Sequence, residues 1–235
     1  MKKLFLICFI LYASPCFAAI GLGGSTSGTA DSTSLTISHT ANASSNLVVI
    51  FIGNETGTQG RKPSSCTWDG NDMTLMTPVE SNDQRNYAAI CYIADSSTGT
   101  ANAKVTMTGW CEITAVVADF TGVDIANLAK ESDTTVVETD STITNTLETT
   151  ASNAWVIDAI NSKDASPNFS AQSSQTTIAE SVNSGGSSVI SSYKLIASQA
   201  STDITWNHDV TDTQGQLISI YPSVAVAARR VMITE

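Results

Sequence analysis

Apolar residues in this chain alternate with polar ones or run unbroken for a few positions, and almost nowhere recur with the period of a helix. Read that way, strands are expected over residues 35–40, 47–53, 66–68, 73–76, 87–94, 104–108 and 113–120, and again over 142–147, 155–160, 188–196, 203–206 and 216–221. These segments are β-branched or alternating and are bounded by Gly, Asn, Asp and Ser. The best helical stretch, 123–131, scatters Asp124, Asn127 and Lys130 around its circumference, so a single turn or loop is expected there. Asp69-Gly70-Asn71-Asp72 between two short strands reads as a tight hairpin turn, because these residues tolerate positive φ. Gly109-Trp110-Cys111-Glu112 reads as a second tight connection, between 104–108 and the strand beginning at Ile113.

The pattern is duplicated. SLTISHTANASSNLVVIFI (34–52) is echoed by STITNTLETTASNAWVIDAI (141–160), and AICYIADSSTGTANAKVTMT (89–108) by VISSYKLIASQASTDITW (189–206). A half with five to seven short strands presents an apolar face that it cannot bury alone, so the two halves are expected to pack face to face in one all-β domain over 34–222. A segment 19–33 would precede it and a tail 223–235 would follow.

The succession SLTISHT, NLVVIFIG, CTWDGNDMTL, CYIADSSTGTANAKVTMTG and AVVADFTGVD resembles a family of secreted bacterial and phage-associated β-sandwich domains with a concanavalin-like jelly roll. The resemblance runs from Ser34 to Pro222 and implies a jelly-roll-like antiparallel sandwich; the family offers no catalytic signature to carry over. Cys91 stands where the family pattern leads one to expect an aromatic residue, which makes a disulfide at that strand conceivable.

The N-terminus changes the picture from a β protein to an exported one. Lys2 and Lys3 precede ten apolar or small residues, 4–13, and Cys16-Phe17-Ala18 offers small residues at the −3 and −1 positions of a cleavage site, so residues 1–18 read as a signal peptide cut after Ala18. Ten residues fall short of the ~20 that span a bilayer. A secreted, extracellular or periplasmic protein is expected, with no membrane span once the signal is removed. Removing Lys2 and Lys3 from a chain with 11 basic and 22 acidic residues moves the net charge from −11 to −13. About a quarter of the residues are Ser or Thr, so the polar surface is made of hydroxyls, and no Lys/Arg stripe offsets the acidity; nucleic acid is excluded as a partner. Cys8 and Cys16 leave with the signal, so Cys66, Cys91 and Cys111 allow one internal disulfide among three possible pairs and one remaining thiol.

Candidate chemistry is sparse. His39 reads as a partly exposed strand residue and His208 as part of a solvated tip, Asn207-His208-Asp209. No G-x-S-x-G, phosphate loop, H-E-x-x-H or C-x-x-C is present, and the Asp69-to-Asp72 turn has too few oxygens for Ca²⁺, so neither a metal nor a cofactor is expected. Asp119 and Asp158 each interrupt an apolar strand, at a solvent-lined edge or on a concave sheet face; as a pair they are the one glycosidase-like arrangement available. By alternation Trp206 and Trp155 belong to the core, whereas Trp110 and Trp68 flank turns. Trp110, then Trp68, with Asp69 and Asn71 supplying hydrogen bonds, are the candidate ligand contacts, since sugars and flat ligands stack on exposed indoles. Asn42, Asn54 and Asn168 open N-x-S/T triplets, incidental in a bacterial protein. The expected function is a non-enzymatic surface or extracellular structural and adhesion module whose partner is a glycan or another surface protein; a lectin-like glycan binder and a glycosidase are the alternatives.

Overall fold

The computed structural model describes residues 18–94, 98–137, 139–165, 168–172, 174–209 and 212–223. The expected signal peptide, apart from Ala18, and the tail beyond Ser223 lie outside the described residues. Eight strands build the first half: β1 (Gly21–Ala41), β2 (Ser45–Glu55), β3 (Pro63–Trp68), β4 (Asn71–Asp72), β5 (Thr74–Leu75), β6 (Val79–Glu80), β7 (Asn86–Ala94) and β8 (Gly99–Thr121). A 3-10 turn, Ile125–Asn127, capped by the Asp124 side chain, leads to β9 (Ser132–Val137), β10 (Thr142–Glu148), β11 (Ala154–Ser162), β12 (Ser170–Ala171), β13 (Thr176–Val182), β14 (Ser188–Ile196), β15 (Ser201–Asn207) and β16 (Thr213–Ile220). The pairings between these strands are antiparallel.

In the first half the strand order is β4-β3-β8-β2-β7-β5, with β1 on β8 and β6 on β7. Only Met73 separates β4 from β5, so the two ends of that path meet and the sheet nearly closes on itself. Its interior holds Leu35, Ile37, Val48, Ile50, Ile52, Trp68, Val105, Ile113 and Val117. The second half has a five-stranded sheet, β13-β14-β11-β16-β9, facing a three-stranded one, β10-β15-β12, across a core of Ile143, Val156, Ile160, Ile204, Trp206 and Leu217. Between the halves lies a third apolar layer, with Leu47, Val49, Phe51, Val116 and Phe120 from one side and Ile157, Ala159, Val189, Ile218 and Ile220 from the other.

This stacking explains the apolar run of β2 and that of β11, which only Asp158 interrupts. β2 sends Val48, Ile50 and Ile52 into the first core and Leu47, Val49 and Phe51 into the shared layer. β11 divides in the same way, so both strands are buried on both faces and have no polar side to alternate with. The sequence repeat is a structural one. β2 lies between β7 and β8 as β11 lies between β14 and β16, and the second part of β1 pairs with the start of β8 as β10 pairs with β15. What β15 and β16 do separately in the second half, the single strand β8 does in the first.

Three expectations are corrected here. The stretch 19–33 does not precede the sheet: from Gly21 onward it is the first part of β1, running along β8 from Gly21 opposite Thr121 to Ser32 opposite Cys111. It was unreadable as a strand because Gly, Ser and Thr supply no apolar alternation, and its order comes from the apolar strand it borders. At Gly23 a Cβ would collide with the Asp119 carboxylate, so this edge requires glycine. The segment 109–112 is not a hairpin turn. β8 continues through it, and the partner of β1 jumps from Cys111 at Ser32 to Thr106 at Ser34, so residues 107–110 swell out of the ladder as an irregularity that bends β8. His39 and His208 are both buried, at 3% and 4% exposure, rather than partly exposed and solvated. The Asp69-Gly70 turn is as expected, with φ of +50° and +79° and Trp68 opposite Asn71.

The two ends of the described chain come together: the Ala18 amide donates to the Ser223 carbonyl (2.9 Å) and the Ser223 amide to the Gly122 carbonyl (2.8 Å). Among the described residues no helix is long and apolar enough to cross a membrane. Cys66 and Cys91 form a disulfide joining β3 to β7, with Cα atoms 6.4 Å apart, consistent with an oxidising compartment. Cys111 is free and buried, and burial pushes its thiol up to about 11.

Candidate functional sites at two ends of the molecule

The residues nominated from the sequence do not form one site. Trp110 is 49% exposed on the swollen part of β8, where its carbonyl accepts a bond from Arg61 Nη1 (2.8 Å). Trp68 is completely buried, with His39 edge-on to its ring at 6.0 Å between centroids, so it is a core residue and not a surface contact. Alternation held the clue, since Trp68 shares a face with Cys66, which points inward to its disulfide. Asp69 and Asn71 are exposed, but their turn lies beside Asn102 and Ala103 of β8, well along that strand from Trp110.

Asp119 and Asp158 are each fully buried, neither edge residues nor lining a concave face, and they belong to different cores. Asp119 Oδ1 contacts His39 Nε2 (3.0 Å), while Oδ2 accepts from the Asn42 amide (3.0 Å) and the Ser45 hydroxyl; His39 Nδ1 meets Thr26 Oγ1 at 2.9 Å. The order hydroxyl, imidazole, carboxylate is that of a nucleophilic triad. Here it ties the two parts of β1 to β8 and to the start of β2, beneath Gly23. Asp158 Oδ1 accepts from the amide and the hydroxyl of Ser192 (2.6 Å each), and Oδ2 from Trp206 Nε1 (2.7 Å). Burial pushes its carboxyl up to about 6, against those three bonds. The two acids therefore do not converge on a substrate; each satisfies the donors of its own core.

Two other places bring polar and aromatic groups together. β2 starts beside Thr121 and ends beside Glu112, so its 11 residues separate two ends of the molecule by about 35 Å. At the Thr121 end lie two adjoining cavities that share Pro222. The larger, about 340 Å³, is lined by Asp124, Asn127, Lys130, Thr150 and Tyr221 among others. Glu131 stands behind it, accepting bonds from the hydroxyls of Tyr221, Ser219 and Thr150; although burial opposes it, these hydroxyls hold the Glu131 carboxyl below its ordinary range. The smaller, about 310 Å³, is walled by Ile20, Asn153, Trp155 and Leu195. Trp155 is half-buried rather than core: it stacks on Tyr193 (4.1 Å between centroids, 8° between planes), meets Phe120 edge-on, and leaves a ledge beside Leu195, which is 57% exposed. No local motif announces these cavities, because their walls come from segments scattered from Ala18 to Pro222.

At the opposite end the structure makes an acid pair the sequence reading missed. Glu55 of β2 lies directly across from Glu112 of β8, and one carboxyl oxygen of each lies within 3.6 Å of the position a Cβ would take at Gly186. Burial first, then the neighbouring Glu112 carboxyl, push Glu55 up to about 7. Among the described residues no group of three or more His, Cys, Asp or Glu is placed to hold a metal ion. Comparison of the chain with protein-family models, with curated proteins and with solved structures finds no match.

Proposed function

We propose that this protein is an exported, non-enzymatic adhesion module, of the jelly-roll-like sandwich type that its sequence resembles, and that it contacts an extracellular glycan through the paired cavities. The carrying observation is the Trp155 ledge, stacked on Tyr193 and adjoining a cavity rimmed by Asp124, Asn127 and Lys130. An aromatic face next to oriented amide, carboxylate and ammonium groups suits a pyranose ring, whose C–H face stacks while its hydroxyls seek donors and acceptors. Export is supported by the leader-like N-terminus and by the disulfide.

The test is a screen of the mature chain against a glycan array and soluble polysaccharides, followed by affinity electrophoresis of Trp155→Ala and Trp110→Ala. Retention lost with Trp155→Ala and kept with Trp110→Ala is the expected result. Retention lost only with Trp110→Ala moves the contact to the other end, and the absence of binding to every glycan removes the carbohydrate reading.

A further inference from the structure

The acid pair lies where the two halves meet. Glu112 and Thr114 point to the same side of β8, and the Thr114 hydroxyl meets that of Ser187, in the turn between β13 and β14 (3.2 Å). That turn lies over the carboxyls: a Cβ at Gly185 would stand 2.5 Å from Glu112 Cδ, and one at Gly186 2.9 Å from Glu55 Oε2. Asn183 anchors the turn, giving Nδ2 to Asp31 (2.6 Å) and taking the Gly185 amide on Oδ1 (2.9 Å). The charged groups facing the pair are Asp31, opposite Glu112 on β1; Asp83, from the loop between β6 and β7; and Lys163, just past β11, which is itself paired with Asp212. The turn residues 183–187 contribute no titratable group. One oxygen of Glu112 is sealed from solvent with no N–H or hydroxyl donating to it. A proton held between the two carboxyls satisfies that oxygen and removes the repulsion of adjacent carboxylates.

We propose that Glu55, protonated and set against Glu112 beneath the turn of residues 183–187, works as a pH-sensitive latch between the two halves. With the proton, the ends of β2 and β8 and the turn over them are held together; without it, two carboxylates face each other under two glycines, and the turn lifts. This device is independent of any glycan bound at the other end. The sign follows from the raised Glu55: between its ordinary value of 4.5 and about 7, the folded chain keeps a proton that the unfolded chain has released. Stability from this pair is therefore full at acid pH and lost as pH rises toward and through 7.

The experiment is thermal unfolding of the mature chain from pH 4 to 8.5, with amide hydrogen exchange of residues 183–187 corrected for base-catalysed intrinsic exchange. Wild type should lose melting temperature from about pH 4.5 to just above 7, while exchange in the turn quickens by about tenfold. Glu55→Gln, which keeps a donor for Glu112, should flatten both changes, and Glu112→Gln, which removes the same repulsion from the other strand, should do likewise. Both variants should retain the part of the decline between pH 4 and 6 that belongs to Asp158 and lose the part above pH 6. A wild-type slope between pH 6 and 8 persisting in both variants, or turn exchange indifferent to pH, overturns the proposal.

Discussion

The two halves reach the same strand arrangement and then brace it with different chemistry at the same place. In the first, Ile50 of β2 lies opposite Cys91 of β7, and Cys91 is bonded to Cys66. In the second, Asp158 of β11 lies opposite Ser192 of β14, and the carboxylate collects the Ser192 amide, the Ser192 hydroxyl and the Trp206 indole. A covalent tie works chiefly by limiting the unfolded chain and needs no polar atoms in the core. A buried carboxylate works only while every donor around it is matched, and it carries a desolvation cost into the folded state. One half therefore responds to reductant and the other to protons.

Asp158→Ala should separate the halves most sharply. It strands three donors in a sealed core and is expected to cost about 4 kcal/mol in chemical denaturation at pH 7. Replacing Cys66 and Cys91 together by Ala should cost about 3.5 kcal/mol, the loop-closure figure for a separation of 25 residues. Non-reducing, denaturing titration of the mature wild type should find one thiol, Cys111, with none reacting while the chain is folded. A larger loss from the double Cys variant than from Asp158→Ala would reverse the ranking of the two braces.

The pH response of the second brace has a fixed sign. Asp158 is raised from 3.8 to about 6, so the folded state retains its proton while the unfolded state loses it, and stability should fall as pH rises across that window. The change is on the order of 3 kcal/mol. Asp158→Asn should abolish it, whereas disulfide reduction should leave it in place. Smallest of all, Trp110→Ala should change stability by less than about 0.5 kcal/mol, since half of its surface is already in water. A loss of several kcal/mol would mean that the indole caps the first core.

Legibility followed burial. NLVVIFI and AWVIDAI announce β2 and β11 because strands buried on both faces have apolar side chains at nearly every position, and the repeat of these blocks reports a real duplication. The first part of β1, and β9 and β13 at the edges of their sheet, escaped notice because an edge strand rich in Ser, Thr and other polar residues takes its order from its neighbour. Asp119 and Asp158 were visible as anomalies, but only the fold reveals what each one satisfies. Glu55 and Glu112 meet through strand register across 57 positions of chain, and the Trp155 ledge needs the turn near Asp124 and both ends of the described chain to complete it; neither leaves a local trace.

The adjacency of Gly21 and Ser223 has a mechanical consequence. Gly21 begins β1 opposite Thr121 and the Ser223 amide is bonded to the Gly122 carbonyl, so the first strand and the last described residue are held at one edge of the folded body. A pull that separates Ser223 from Gly21 falls first on the Ser223-to-Gly122 hydrogen bond, which stands beside a single isolated bridge, Val123 to Pro222. The long ladder of β1 on β8 would then carry load only after that seam had parted.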